Sequence, residues 1–190
     1  LLRMAKHKSF LVTKDIFNEK LSDAMLAMDQ PTLDGINTYF ISMYAKEYGL
    51  KAVLSGLGAD ELFGGYPSFQ QQGRMDMVKK MPAGFLRGLQ HFPDHRVRKL
   101  SYAGIQNTAS EYLSYRGIFT PVSVASLLGS TQKEVEMELE SLSTHYPLNG
   151  LTNGNRVSWL ETNFYMQNQL LKDSDFMSMW HGLEIRVPFL

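Results

Sequence analysis

The stretch Ser55-Gly56-Leu57-Gly58-Ala59-Asp60-Glu61-Leu62-Phe63-Gly64-Gly65-Tyr66 limits what this chain can fold into more than any other. It follows a short run, Lys51 to Leu54, long enough for one buried strand. Ser55, Gly56 and Gly58 then predict a turn whose glycines, lacking Cβ atoms, let backbone N–H groups approach a ligand, and Ala59 to Phe63 predict the start of a helix. Clustered N–H groups suit a phosphate. Asp60 and Glu61 add two carboxylates at the same place, and carboxylate beside phosphate is repulsive unless a cation intervenes. Magnesium, which takes few carboxylates together with phosphate oxygens and waters, resolves the conflict. The residues also admit a plainer role, in which the glycines are ordinary turn residues and Asp60 serves a helix N-terminus. The spacing is neither a Rossmann fingerprint nor a Walker loop, since it lacks the third glycine of one and the Lys-Ser/Thr of the other.

Composition narrows the function classes. Lys+Arg and Asp+Glu are both 19 in 190 residues, so the zero formal charge argues against a sequence-independent grip on nucleic acid. No apolar run reaches the roughly 20 residues that cross a bilayer. Zero cysteine removes disulfides, Cys-zinc sites and a Cys nucleophile, and is compatible with the cytoplasm. The five histidines, at positions 7, 91, 95, 145 and 181, show no metal spacing and no nucleophile to serve. The Leu start and the Val-Pro-Phe-Leu end suggest a piece of a longer protein.

In chain order, Phe10, Leu11 and Val12 predict a strand over residues 7–12, with Thr13 capping a helix that runs to about Ala27. Asp29-Gln30-Pro31-Thr32 breaks it, and Asp34 is expected to cap a second helix whose apolar positions include Ile36, Tyr39, Phe40, Met43 and Tyr44, with Gly49 just past its end. Strand, helix pair, strand and glycine turn is the order of a crossover in a parallel sheet, where ligands lie beyond the carboxyl ends of strands. From Phe69 onward the pattern is helical. The basic run Arg87 to Lys99 admits a phosphate or nucleic-acid patch, but the zero net charge favours a solvated face connecting helices. Residues 144–155 read as a loop, and Arg156 to Leu171 as a largely buried helix that ends at Lys172-Asp173-Ser174-Asp175, which cap a shorter one stopping at Gly182. Glu184 and Arg186 fall on one side of an extended segment and are expected to form a structural ion pair, costly to break if buried.

The string from Ser55 to Tyr66 closely resembles a signature of the asparagine synthase family's synthetase domain, Ser-Gly-x-Gly-x-Asp-Glu-Leu/Val-Phe-Gly-Gly-Tyr. Asp29-Gln30-Pro31 resembles that family's Asp-Glu-Pro turn, and Leu183-Glu184-Ile185-Arg186-Val187-Pro188-Phe189-Leu190 its Leu-Glu-x-Arg-Val-Pro-Phe-Leu signature. The three occur in the right order and cover at most a third of the chain. The resemblance implies an α/β fold, a partial adenine-nucleotide alpha-hydrolase-like (ATP pyrophosphatase) domain with few parallel strands at the N-terminal end and the remainder mostly helical. Residues 1–68 would be a truncated α/β part carrying the phosphate loop, and residues 69–190 the helical part.

The same resemblance implies a cytoplasmic ligase that adenylates a carboxylate with ATP and transfers ammonia to it, as in asparagine biosynthesis. ATP and Mg²⁺ would be required. The partners would be small molecules, with ammonia supplied by a glutaminase domain absent here, no nucleic acid or membrane, and a homodimer among the allowed assemblies. Carried over by position, Ser55, Gly56, Leu57 and Gly58 would contact ATP or the adenylate. Asp60 would help hold Mg²⁺–pyrophosphate, and Asp60 and Glu61 form the catalytic pair, with Glu61 supporting the loop. Three parts of the family pattern lie outside this sequence: the upstream Ser-Gly-Gly-x-Asp-Ser loop, a lysine downstream of Pro-Phe-Leu, and the glutaminase with its cysteine. A module that kept the fold and lost the chemistry is therefore an alternative. At Leu57 well-characterised members often carry an acid; its absence here leaves open either an acceptor other than aspartate or a takeover by Glu61.

Overall fold

The computed structural model describes residues 7–32, 34–145, 148 and 150–189. They form two compact units, one comprising Leu1–Ala59 with Tyr165–Leu190 and the other Asp60–Phe164.

In the first unit, α1 (Lys14–Leu26) starts where Thr13 Oγ1 accepts the Ile16 N–H. Helix α2 (Asp34–Glu47) ends before Gly49, whose φ of 77° is the left-handed geometry expected beyond a helix C-terminus. The strand β1 (Ala52–Leu54) pairs in parallel with β2 (Glu184–Arg186), in the register Ala52 to Glu184, Val53 to Ile185 and Leu54 to Arg186. Apolar residues of three helices close this unit: Ala24 and Ala27 at the end of α1, Tyr39 and Phe40 from α2, and Met177 from α11 (Leu171–Trp180), all buried.

In the second unit, α3 (Ala59–Phe63, beginning at the unit boundary) leads into α4 (Pro67–Val78), whose Pro67 occupies the first helical position, where a missing N–H costs nothing. Short helices α5 (Ala83–Gly88) and α6 (His95–Arg98) alternate with 3₁₀ turns. Helices α7 (Thr108–Arg116), α8 (Pro121–Leu128) and α9 (Gln132–Thr144) are capped by Asn107, Thr120 and Thr131, each accepting a backbone N–H three residues on. The core gathers Met75, Leu86, Ala103, Tyr115, Leu148, Val157 and Leu160. The carboxylates of Glu111 and Glu161 are buried in this unit and both are compensated. Glu161 accepts from Ser68 Oγ at 2.6 Å and from Arg116 Nε at 3.1 Å, while Glu111 is held by Lys79 at 2.5 Å and by Arg156. The Glu111 pair holds the Arg156 guanidinium more firmly protonated than usual.

Six expectations are corrected. Residues 7–12 form no strand; Phe10 instead stacks on Tyr44 with ring centroids 4.1 Å apart and leans on Tyr48, so aromatic packing on α2 replaces sheet pairing. Thr32, not Asp34, accepts the Gly35 N–H at the start of α2, and Asp34 turns inward. The helix that begins with α10 (Asn153–Leu160) does not stop at residues 172–175: it widens to π-helical winding over Glu161–Leu170 and continues as α11. Nothing in this run removes a backbone donor, and Asp173 is engaged elsewhere than as a cap. The expected loop over 144–155 is shorter, since α9 includes Thr144 and α10 begins at Asn153; residues 146, 147 and 149 lie outside the described ones. The Glu184–Arg186 pair forms, at 2.8 Å, but both side chains are mostly exposed, so solvent screens it and it anchors little. The few parallel strands are not confined to the N-terminal end either, because β2 comes from the C-terminal stretch. No helix among the described residues is long and apolar enough to cross a membrane.

Asp34 and Asp173 close a polar knot inside the first unit. Tyr165 OH and Gln169 Nε2 donate to Asp34 Oδ2 at 2.7 and 3.2 Å, and Thr32 Oγ1 donates to Asp173 Oδ2 at 2.6 Å. Burial, reinforced by the Asp34 charge and opposed by the Thr32 hydrogen bond, raises the pKa of Asp173 above the usual carboxylate value. The folded state therefore binds this proton more tightly than the unfolded state. The associated stability is fully present below the unfolded pKa near 4 and is lost as pH rises through the raised folded pKa. Asp173→Asn keeps an oxygen to accept from Thr32 and removes the titration. We predict that the stability of Asp173→Asn relative to the parent, measured by urea unfolding of the full-length protein, rises between pH 4 and pH 7; a flat difference would show that Asp173 does not titrate abnormally.

Candidate functional site

The glycine turn begins where β1 ends. The Ser55 N–H donates to Arg186 O at 2.9 Å, so the parallel pairing fixes the first residue of the turn. Ser55 Oγ then accepts the Leu57 N–H at 3.3 Å, and Gly56 O accepts the Ala59 N–H at 3.2 Å, closing a tight turn. Gly58 sits at φ 90°, a conformation that a residue with a Cβ adopts only under strain. The N–H groups of Gly56 and Gly58 have no hydrogen-bond partner among the described residues. Open space surrounds the position a Gly56 Cβ would take, and Gly56 is exposed. An anion could accept from the exposed Gly56 N–H, whereas Gly58 is buried in the turn. Leu57 is half-buried and contributes only apolar surface.

The residues that follow belong to the second unit. Helix α3 is five residues long, so its attraction for an anion would come from local N–H groups more than from a macrodipole. Asp60 is exposed. Its carbonyl accepts the N–H groups of Gly64 and Gly65, both at 3.0 Å, and its carboxylate lies over residue 65, where an added Cβ would come within 2.0 Å of Oδ1. Gly64, at φ 79°, turns the chain, and Gly65 leaves room for the carboxylate. Gly65 is thus required by Asp60, and Gly64 by its own left-handed φ. Glu61 is 1% exposed and accepts from Tyr66 OH at 2.7 Å, while the Arg116 guanidinium covers the Tyr66 ring at 4.4 Å from its centroid. Glu61 is therefore fixed inside the protein and does not present its carboxylate to solvent, which weighs against its standing in for an acid at position 57.

Sequence reasoning did not single out Tyr66 as the partner of Glu61, nor Thr32, Tyr165 and Gln169 as partners of Asp34 and Asp173. The first pair is close in sequence and its spacing could have been read; the others meet across more than 130 residues, with no signal in a single sequence.

The chain is a mostly helical α/β protein in which a parallel strand pair presents a glycine turn. The sequence model of the asparagine synthase family matches residues 3–190, and the chain belongs to that family. It is 25% identical over 189 residues to "asparagine synthetase (glutamine-hydrolyzing) 1" of Bacillus subtilis, covering 96% of this chain and 30% of that protein. A Mycobacterium bovis protein named "putative asparagine synthetase (glutamine-hydrolyzing)" is 25% identical over 201 residues, covering 98% of this chain and 29% of its own length. A similarly named Methanocaldococcus jannaschii protein is 36% identical over 84 residues, 43% of this chain and 16% of its own length. The chain thus spans about 30% of the length of the first two. No solved structure matches it.

Gly58→Val places a β-branched side chain at a φ it cannot adopt. If the turn holds a phosphate, the full-length Gly58→Val protein is expected to lose ATP–pyrophosphate exchange with the far-ultraviolet circular dichroism unchanged. Normal exchange in the folded variant would remove the turn from the phosphate site.

Proposed function

We propose that this chain is part of the synthetase of a glutamine-dependent amidotransferase, a cytoplasmic ligase that uses ATP to adenylate a carboxylate and then transfers ammonia to the acyl-adenylate with release of AMP. The supporting observation is the turn at Ser55–Gly58, with two unpaired N–H groups at the end of a parallel strand, in a chain of the asparagine synthase family. Ser55, Gly56 and Gly58 bind the phosphates or the adenylate, Leu57 packs beside them, and Glu61 holds the shape of α3 through Tyr66. Asp60 is the exposed carboxylate that follows.

The donor set fits Mg²⁺ in one form only. Asp60 is a single exposed oxygen ligand, and no group of three or more His, Cys, Asp or Glu gathers among the described residues, so the ion would be held by Asp60 together with pyrophosphate oxygens and water. When bound it would neutralise charge on the pyrophosphate leaving group. A structural Asp60 and a metal-holding Asp60 separate experimentally. A helix-terminal carboxylate is worth about 1 kcal/mol of stability, whereas a lost metal ligand removes several kcal/mol of transition-state stabilisation. Asp60→Asn in the full-length enzyme is expected to lower turnover by at least about 100-fold, about 2.7 kcal/mol, with little change in melting temperature. A sharp drop in melting with normal turnover in the cold would assign Asp60 to structure.

The acceptor is a carboxylate other than free aspartate, on the strength of Leu57. A leucine side chain neither accepts a hydrogen bond nor takes a proton, and the carboxylate of Glu61 is committed to Tyr66. Intact protein supplied with ATP, Mg²⁺, ammonia and aspartate should form asparagine far more slowly than about 1 s⁻¹; turnover at that rate or above would show that Leu57 leaves the substrate unchanged.

A further inference from the structure

The basic run noted in the sequence folds into a pocket. In the second unit, Arg74 of α4, His95 and Arg96 of α6 and Lys99 of the following 3₁₀ turn line a cavity of about 580 Å³, with Gln71 and Ser114 adding polar groups and Met75 and Val78 an apolar floor. No carboxylate lines it. Arg74 and Arg96 are exposed, and neither guanidinium is paired with a carboxylate among the described residues, in contrast to Arg116 and Arg156, which are both spent on buried glutamates. Asp94, which precedes α6, is occupied: its Oδ1 accepts the Arg96 N–H at 2.7 Å and lies 3.7 Å from His95 Nδ1. Lys99 is half-buried and donates to Tyr115 O at 2.7 Å, which aligns its ammonium and leaves two N–H groups uncommitted. Burial, and then the charges of Arg96 and Arg116, lower the pKa of Lys99, the mark of a site whose positive potential is not cancelled locally.

We propose that this pocket binds a small phosphorylated anion, bearing one or two phosphate groups, through Arg74, Arg96 and Lys99. Guanidinium groups offer paired N–H donors matched to phosphate oxygens, and a half-buried ammonium supplies a point charge at the base. The cavity is sized for a small molecule and its four basic side chains converge from three elements, whereas a nucleic-acid surface would extend charge along the protein, which the zero net charge opposes. The site is independent of the glycine turn: its residues are Gln71 to Ser114, and none belongs to the Ser55–Tyr66 motif.

The test is calorimetric titration of the full-length protein with inorganic phosphate and pyrophosphate at low ionic strength, in the Gly58→Val background so that phosphate binding at the glycine turn does not contribute. Binding is expected and should weaken as salt is raised. Arg74→Ala with Arg96→Ala, which removes two exposed side chains, should weaken it by about 100-fold, roughly tenfold for each charged contact, while Lys80→Ala, an exposed lysine outside the cavity, leaves it unchanged. Absence of binding, or equal binding by the double variant and its parent, overturns the proposal. So does a single-stranded oligonucleotide that binds at this surface and is not displaced by pyrophosphate. If pyrophosphate binding is lost in Gly58→Val alone and kept in the Arg74/Arg96 double variant, the glycine turn is the phosphate site and the pocket is not.

Discussion

The parallel pairing of β1 with β2 is the constraint on which the first unit depends. Two strands of three residues have no independent stability in water, and the segment between them exceeds 120 residues, so closing it costs on the order of 4 kcal/mol in chain entropy. Packing around the strands offsets that cost. Leu183, just before β2, is fully buried, and Met177 on α11 joins Tyr39 and Phe40 of α2 in one cluster. Main-chain bonds then set the edge of the turn, because Glu184 N–H reaches Lys51 O and Ser55 N–H reaches Arg186 O. The family signature near residue 184 and the one near residue 55 are therefore two sides of one structure: the first fixes where the second begins.

Charge plays a different part in the second unit. Glu111 and Glu161 are almost fully buried, and each would be costly to leave unpaired. Each is met by cations and, for Glu161, by the Ser68 hydroxyl. Such pairs add little net stability against an apolar alternative but penalise any packing that separates the partners. Glu61 follows the same rule with a neutral partner, Tyr66, whose ring lies under the Arg116 guanidinium. Arg116 thus touches both the buried Glu161 and the tyrosine that orients Glu61, linking the start of this unit to its interior.

Much of the local structure was legible. Thr13 caps α1 because a hydroxyl can accept a free N–H three residues on, a relation contained within four residues of chain. The turn at Gly58 and the stop at Gly64 are likewise local, since only a residue without a Cβ takes those φ values freely. The errors came where a local preference met a distant partner. Residues 7–12 have strand-like side chains but no strand beside them, and Phe10 found Tyr44 instead. The acidic residues at 173–175 look like a helix break, yet Asp173 is drawn to Thr32, so the helix runs on through a wider winding.

The sequence by itself determined the first helix cap at Thr13, the glycine turn and its order after a strand, and the family, because each rests on backbone conformations and spacings that neighbouring residues impose. Tertiary structure alone decided that Glu61 faces inward while Asp60 faces out, that Asp34 and Asp173 share a polar knot with Thr32, Tyr165 and Gln169, and that Glu184 and Arg186 lie at the surface. Burial and electrostatic environment depend on which segments meet across more than a hundred residues, and no periodicity or spacing in a single chain encodes that meeting.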